Sequence, residues 1–167
     1  MSSKRDSSMK PFVIMALNTG KSVAEEQRFL SEWLTMKGYG ECGTKAVTGM
    51  WQGVAEHSWL ITLPMNLHDR VHVVESIKRM AGIHQQDAIL YSDTRRNSYL
   101  FWLDGKGACT EALGVFLNVT KARAEQLDCY TYDPQRDTYW ITSPDTARGM
   151  PFCDLKVEKP SLAEVKV

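Results

Sequence analysis

The chain has 167 residues, 43% hydrophobic and 24% charged, the balance of one globular domain large enough to bury a core. Twenty basic and twenty acidic side chains cancel, which excludes the strong field that draws a protein to nucleic acid or to an anionic membrane. The longest apolar runs, residues 12–17 and 99–103, fall far short of the roughly 20 residues a membrane-spanning helix needs.

The opening MSSKRDSSMK carries charge but no apolar segment of the kind a secretory signal needs. Residues 1–10 therefore read as a disordered tail, and the protein is expected to stay in the cytoplasm. Residues 12–17, FVIMAL, form a continuous β-prone run closed by the turn signal NTGK, as in a buried central strand. Ser22 stands three residues ahead of Glu25, the spacing of a capping box, and Phe29, Leu30, Trp33 and Leu34 recur at helical period until Gly38. This predicts a first helix over 23–37. Two short strands follow, 45–51 and 57–63, joined through Gly53, with Glu56 where the second begins.

Asn66 caps a second predicted helix over 67–81, whose apolar stripe is Val71, Val74, Ile77, Met80 and Ala81. DAILYS and YLFWL read as strands around the polar turn DTRRN, and DCYTYD and DTYWIT read as a β-hairpin around DPQRD. From Ser143 the chain is rich in proline and charge without period, so residues 143–167 read as a surface tail beyond one domain at 11–142. The order β-α-β-β-α-β plus a C-terminal hairpin predicts a ferredoxin-like α+β fold, a mostly antiparallel sheet with two helices packed on one face. Its other, aromatic face is then expected to be buried against another subunit.

Several constellations have a chemical reading and a plain one. His68, His72 and Glu75 share one face of the second helix, as zinc ligands must. They are also the polar complement of its apolar stripe, and a solvated face explains them, so no metal is assigned. Cys42, Cys109, Cys129 and Cys153 are scattered without a C-x-x-C pair or a local histidine motif, which in a reducing compartment predicts four free thiols and no cysteine nucleophile. Gly20, Lys21 and Ser22 lack the earlier glycine of a phosphate-binding loop. Glu56 is harder to dismiss. A carboxylate entering a strand between Val54 and Trp59 is solvated at an edge, paired, or facing a cavity, and on composition alone the edge is favoured. Gln85, Gln86 and Asp87 likewise gather polar groups at the start of an apolar strand.

FVIMALN, VTGMWQG, the glutamate of AEHS, QQDAILY and the hairpin DCYTYDPQRDTYWI follow one another in an order that resembles the small bacteriophage S-adenosylmethionine hydrolases and lyases. The resemblance covers most of the chain between Pro11 and Ile141. It departs at Trp51, where tyrosine is expected, in a shorter loop before the glutamate, and in the extra C-terminal tail. The family resemblance implies cleavage of S-adenosylmethionine to 5′-methylthioadenosine and homoserine lactone, or homoserine, by attack of the substrate's own carboxylate, with no cofactor. It further implies Glu56 as the catalytic carboxylate, with Trp51, Gln86, Asp87, Ser58 and Asn18 binding substrate. It also implies a homotrimer with sites between subunits and an anti-restriction role in the host cytoplasm. The alternative is a non-enzymatic protein that sequesters a host enzyme or a nucleotide-like ligand on the same aromatic sheet.

Overall fold

In the computed structural model the described residues are 10–103, 109–143 and 153–155, so the expected tails lie almost wholly outside them. The described residues form eight strands and three helices. They run β1 (Phe12–Met15), α1 (Val23–Met36), β2 (Thr44–Trp51), β3 (Val54–Thr62), α2 (Leu67–Ile83), β4 (Ala88–Ser92), β5 (Asn97–Trp102), β6 (Cys109–Val119), α3 (Lys121–Leu127), β7 (Cys129–Asp133) and β8 (Thr138–Ser143).

The strands close into an antiparallel barrel in the order β1-β3-β2-β7-β8-β6-β5-β4. This corrects the expected ferredoxin-like α+β sheet with two helices on one face. The first four strands do lie side by side as β4-β1-β3-β2, but β5 to β8 continue from both edges and meet. Closure pairs every edge, which an open sheet of this size leaves exposed. It also corrects the expected covering of the second face by another subunit, because that face is the inside of the barrel. Two elements between β5 and β7 have no counterpart in the sequence reading, namely β6 and the short helix α3 that packs against β7 and β8.

The alternation of β1 shows how the layers divide. Val13 and Met15 join Trp59, Ile61, Leu30, Leu34, Val74, Ile77 and Met80 in the larger core, between the barrel wall and α1 and α2. Phe12 and Ile14 point the other way and meet Val47, Phe116, Leu60, Leu90 and Trp140 inside. A strand buried on both faces needs an uninterrupted apolar run, which is what FVIM supplies. The capping box on α1 is formed, with Glu25 N donating to Ser22 Oγ at 3.1 Å and Ser22 N donating to Glu25 Oε1 at 3.1 Å. Asn66 caps α2, accepting from Asp69 N at 3.0 Å.

Past the barrel, Cys153 is buried in the larger core and Asp154 is tied down beside it. The buried Arg70 guanidinium donates Nη2 to Asp154 at 2.9 Å, Nη1 to the carbonyls of Pro64 and Met65, and Nε to the Tyr91 hydroxyl. The Tyr91 hydroxyl in turn donates to Asp154 at 2.9 Å.

Candidate functional site at one mouth of the barrel

Antiparallel closure brings the C-terminal ends of β1, β2, β5 and β8 to the same rim as the N-terminal ends of β3, β4 and β7. Between them opens a cavity of about 440 Å³, within the range of small-molecule sites. Its floor is aromatic. Phe116 stacks on Trp140 at 5.3 Å, and Phe12 meets Phe116 edge-on at 5.1 Å. Ile14, Leu90 and Leu100 complete an apolar lower wall.

The β2–β3 hairpin carries the polar wall. Gln52 and Gly53 both have positive φ, +50° and +82°, and join Trp51 directly to Val54 as a two-residue turn whose twist suits a hairpin. That turn sets the register, so Gly49 faces Glu56 and Val47 faces Ser58. Alternation then sends Glu56 and Ser58 inward while His57 and Trp59 face the helices. Gly49 contributes no side chain to this face, and a methyl group there would come to 3.5 Å from Ser58 Oγ. The missing bulk helps keep the cavity open in front of Glu56.

All six residues singled out from the sequence line this one cavity: Glu56, Trp51, Gln86, Asp87, Ser58 and Asn18. Ser58 is buried, whereas Glu56, Asp87 and Asn18 are exposed at the mouth and Trp51 is 61% exposed on its rim. Among the described residues the Glu56 side chain makes no hydrogen bond or ion pair, so its carboxylate is available to a ligand. Asn18 holds a left-handed φ of +56°, and Gln86 Nε2 donates to the His84 carbonyl at 3.3 Å. The sequence reading missed Gly49, Trp102, Phe116, Cys129, Thr131 and Trp140, which also line the cavity. Trp102 is held by Glu111, whose Oε1 accepts its indole N–H at 3.1 Å. The glycine inside a strand was the one available signal, since such a glycine often marks close approach by another group.

Electrostatically the cavity is one-sided. Its described lining includes the carboxylates of Glu56 and Asp87 and no lysine or arginine. Lys45, which faces inward at the opposite end of the barrel, is paired with Asp133 at 2.8 Å. Arg96 lies over the Trp140 ring at 5.7 Å but is not on the lining.

Behind the hairpin sits a further carboxylate, Glu26 of α1, which is buried. It accepts the Thr19 hydroxyl at 2.6 Å, the Thr19 N–H at 3.3 Å and the Trp59 indole N–H at 2.9 Å, and lies 3.7 Å from His57 Nε2. Burial opposes its ionisation, but the donors from Thr19 and Trp59, with His57 nearby, prevail and hold its pKa below the ordinary value of 4.5.

His68, His72 and Glu75 are exposed on α2, away from the cavity, with the two imidazoles edge to face at 4.8 Å. Among the described residues no three of His, Cys, Asp and Glu converge as a metal site. Cys42 and Cys129 are free thiols, and burial pushes the Cys42 pKa up to about 11. No described helix is long and apolar enough to cross a membrane.

A family model described as the S-adenosylmethionine lyase family matches residues 16–143, more than three quarters of the chain. No curated protein matches it. The matched span runs from the end of β1 to the end of β8 and contains every residue of the polar wall and rim. With a barrel-mouth cavity bearing two carboxylates and an aromatic floor inside that span, the chain belongs to the S-adenosylmethionine lyase family.

Proposed function

We propose that the barrel-mouth cavity binds S-adenosylmethionine and cleaves it to 5′-methylthioadenosine and homoserine lactone. The observation that carries this reading is the one-sided charge of the described lining, two carboxylates and no basic side chain over an aromatic floor. S-adenosylmethionine bears a sulfonium, an ammonium and one carboxylate, a net positive charge that suits such a cavity. The indole and phenyl faces of Trp51, Trp102, Trp140 and Phe116 favour a cation or an adenine ring.

The chemistry balances within the substrate. One carboxylate oxygen attacks the γ-carbon opposite the sulfur, the carbon–sulfur bond breaks, and its electron pair stays on sulfur. The products are a neutral thioether and a lactone that keeps the ammonium. No proton moves, and the lactone becomes homoserine only if water later opens it. Glu56 accepts hydrogen bonds from the ammonium or the ribose hydroxyls, and Asp87, Gln86, Asn18 and Ser58 complete the polar contacts. Holding the chain folded so that oxygen and γ-carbon meet in line supplies up to about 7–11 kcal/mol of the barrier.

Two features of the lining favour this path over attack by water. A basic residue would pair with the substrate carboxylate and blunt it as a nucleophile, and the described lining has none. The attack also merges a carboxylate with a sulfonium, and such loss of charge is favoured where the apolar floor excludes water. Decarboxylated S-adenosylmethionine tests the reading. It retains the sulfonium and lacks the nucleophile, so it should bind, compete with substrate and yield no methylthioadenosine. Its cleavage at a rate like that of the substrate would overturn the intramolecular route in favour of hydrolysis, and failure of S-adenosylmethionine itself to yield product would overturn the enzyme in favour of the ligand-sequestering alternative.

The assembly is read as a homotrimer with the cavities close to subunit contacts. Support comes from the resemblance to the phage enzymes and from the exposed Trp51 and Val54, 61% and 67%, beside the mouth. A phage-encoded anti-restriction role, removal of the methyl donor in the host cytoplasm, is the biological reading that goes with this chemistry.

A further inference from the structure

We infer that Glu26 is a positioning residue for the cavity, one buried carboxylate that joins two of its walls from outside the barrel. The inference rests on the reading of the cavity as a lyase site.

Glu26 is on α1 and does not line the cavity. Its two oxygens nevertheless reach the neighbours of three residues that do. Oε2 accepts both the hydroxyl and the backbone N–H of Thr19, at 2.6 and 3.3 Å, and Thr19 follows Asn18. Oε1 accepts the indole N–H of Trp59 at 2.9 Å and lies 3.7 Å from His57 Nε2. Trp59 and His57 flank Ser58, and His57 follows Glu56. Because side chains alternate along β3, a group that holds Trp59 by a hydrogen bond and stands beside His57 sets, from behind, the strand from which Glu56 and Ser58 project forward. The same carboxylate holds the loop in which Asn18 takes its left-handed conformation.

A plain packing role does not account for this choice of residue. Glu26 is 4% exposed, and a carboxylate at such burial is costly unless its oxygens are occupied. Here each oxygen accepts from a different wall of the cavity, and Thr19 brings both its side chain and its backbone. Reactions that depend on orientation are sensitive to such support, since a displacement of about 1 Å can cost roughly 100-fold.

The test compares Glu26→Gln and Thr19→Val with wild type. Both replacements are nearly isosteric, and Thr19→Val, which removes one donor and leaves Glu26 in place, carries the same expectation in the same direction should Glu26→Gln not fold. The readouts are kcat and KM for S-adenosylmethionine on the folded fraction, and amide exchange of the peptides around residues 18–19 and 55–59. We expect kcat to fall about 10- to 100-fold in Glu26→Gln with KM changed less than about threefold. Exchange should quicken roughly tenfold in those two segments and not in α2. Combining Glu26→Gln with Asn18→Ala should cost less than the sum of the two, as coupled residues do. Wild-type kcat per folded molecule, or a uniform rise in exchange, would overturn the inference. Should wild type itself be inert, the lyase reading fails, and exchange confined to the two walls still decides whether Glu26 supports them.

Discussion

Replacing Glu56 by glutamine is the sharpest perturbation, because it removes one charge and almost nothing else. Among the described residues its side chain has no partner, and it projects from β3 opposite a glycine. Loss of the charge should therefore leave the unfolding free energy within about 0.5 kcal/mol of wild type. The ligand feels it differently. Two unit charges 4 Å apart attract by about 4 kcal/mol at an effective dielectric constant near 20, and water at the open mouth reduces this. A hydrogen bond to a charged group is worth about 1.5–3 kcal/mol, so kcat/KM should fall by roughly 10- to 150-fold. Glu56→Asp keeps the charge one methylene further back and should lie between. The assay is chromatographic measurement of methylthioadenosine formed at several substrate concentrations, with thermal unfolding in parallel. Discrimination between S-adenosylmethionine and its neutral thioether analogue S-adenosylhomocysteine should shrink in the glutamine variant. If Glu56→Gln retained kcat/KM within twofold, or lost activity only in step with stability, the carboxylate would have no place in recognition.

Gly49→Ala should leave the fold intact, since a Cβ there clears Ser58 Oγ at 3.5 Å, yet intrude on the space before Glu56 and raise KM at least about threefold; an unchanged KM would mean the ligand lies elsewhere. Tyr91→Phe removes a hydroxyl that accepts from Arg70 and donates to Asp154, and denaturant titration should show a loss of about 1–3 kcal/mol. Because Glu26 has its pKa depressed below 4.5, the stability it contributes is complete above that value and lost as pH falls through the folded-state pKa. The wild-type melting temperature should therefore drop more steeply below pH 4.5 than that of Glu26→Gln, and parallel curves would contradict the assignment. Cys42, buried and with its pKa raised to about 11, should resist alkylation at pH 8 until the protein unfolds, while substrate should slow labelling of the cavity-facing Cys129; mapping the modified thiols by mass spectrometry checks both.

Local chemistry was legible in the sequence wherever it depends on neighbours along the chain. Ser22 and Glu25 made their capping box, Asn66 capped α2, and FVIMAL read as a buried central strand, of which FVIM is the strand β1. The carboxylate behind the site, Glu26, was not legible. It sits in the first turn of α1, where an acidic residue is ordinary, and only the approach of Thr19 and Trp59 distinguishes it from its neighbour Glu25. Strand β6 escaped notice because its pattern is broken by a register shift opposite Ser98 and Tyr99, which spoils the simple alternation that marks a strand.

Alternation of side chains along β3 was written in the sequence, but which face is inside was not. An edge carboxylate and a cavity carboxylate have the same local pattern. Only the meeting of β5–β8 with β1–β4 decides between them, because strand pairing depends on partners far apart in the chain and has no local signature. Tertiary closure thus turned the face expected to meet another subunit into the interior of the barrel. There it gathered Glu56, Asp87 and the aromatic floor around one space.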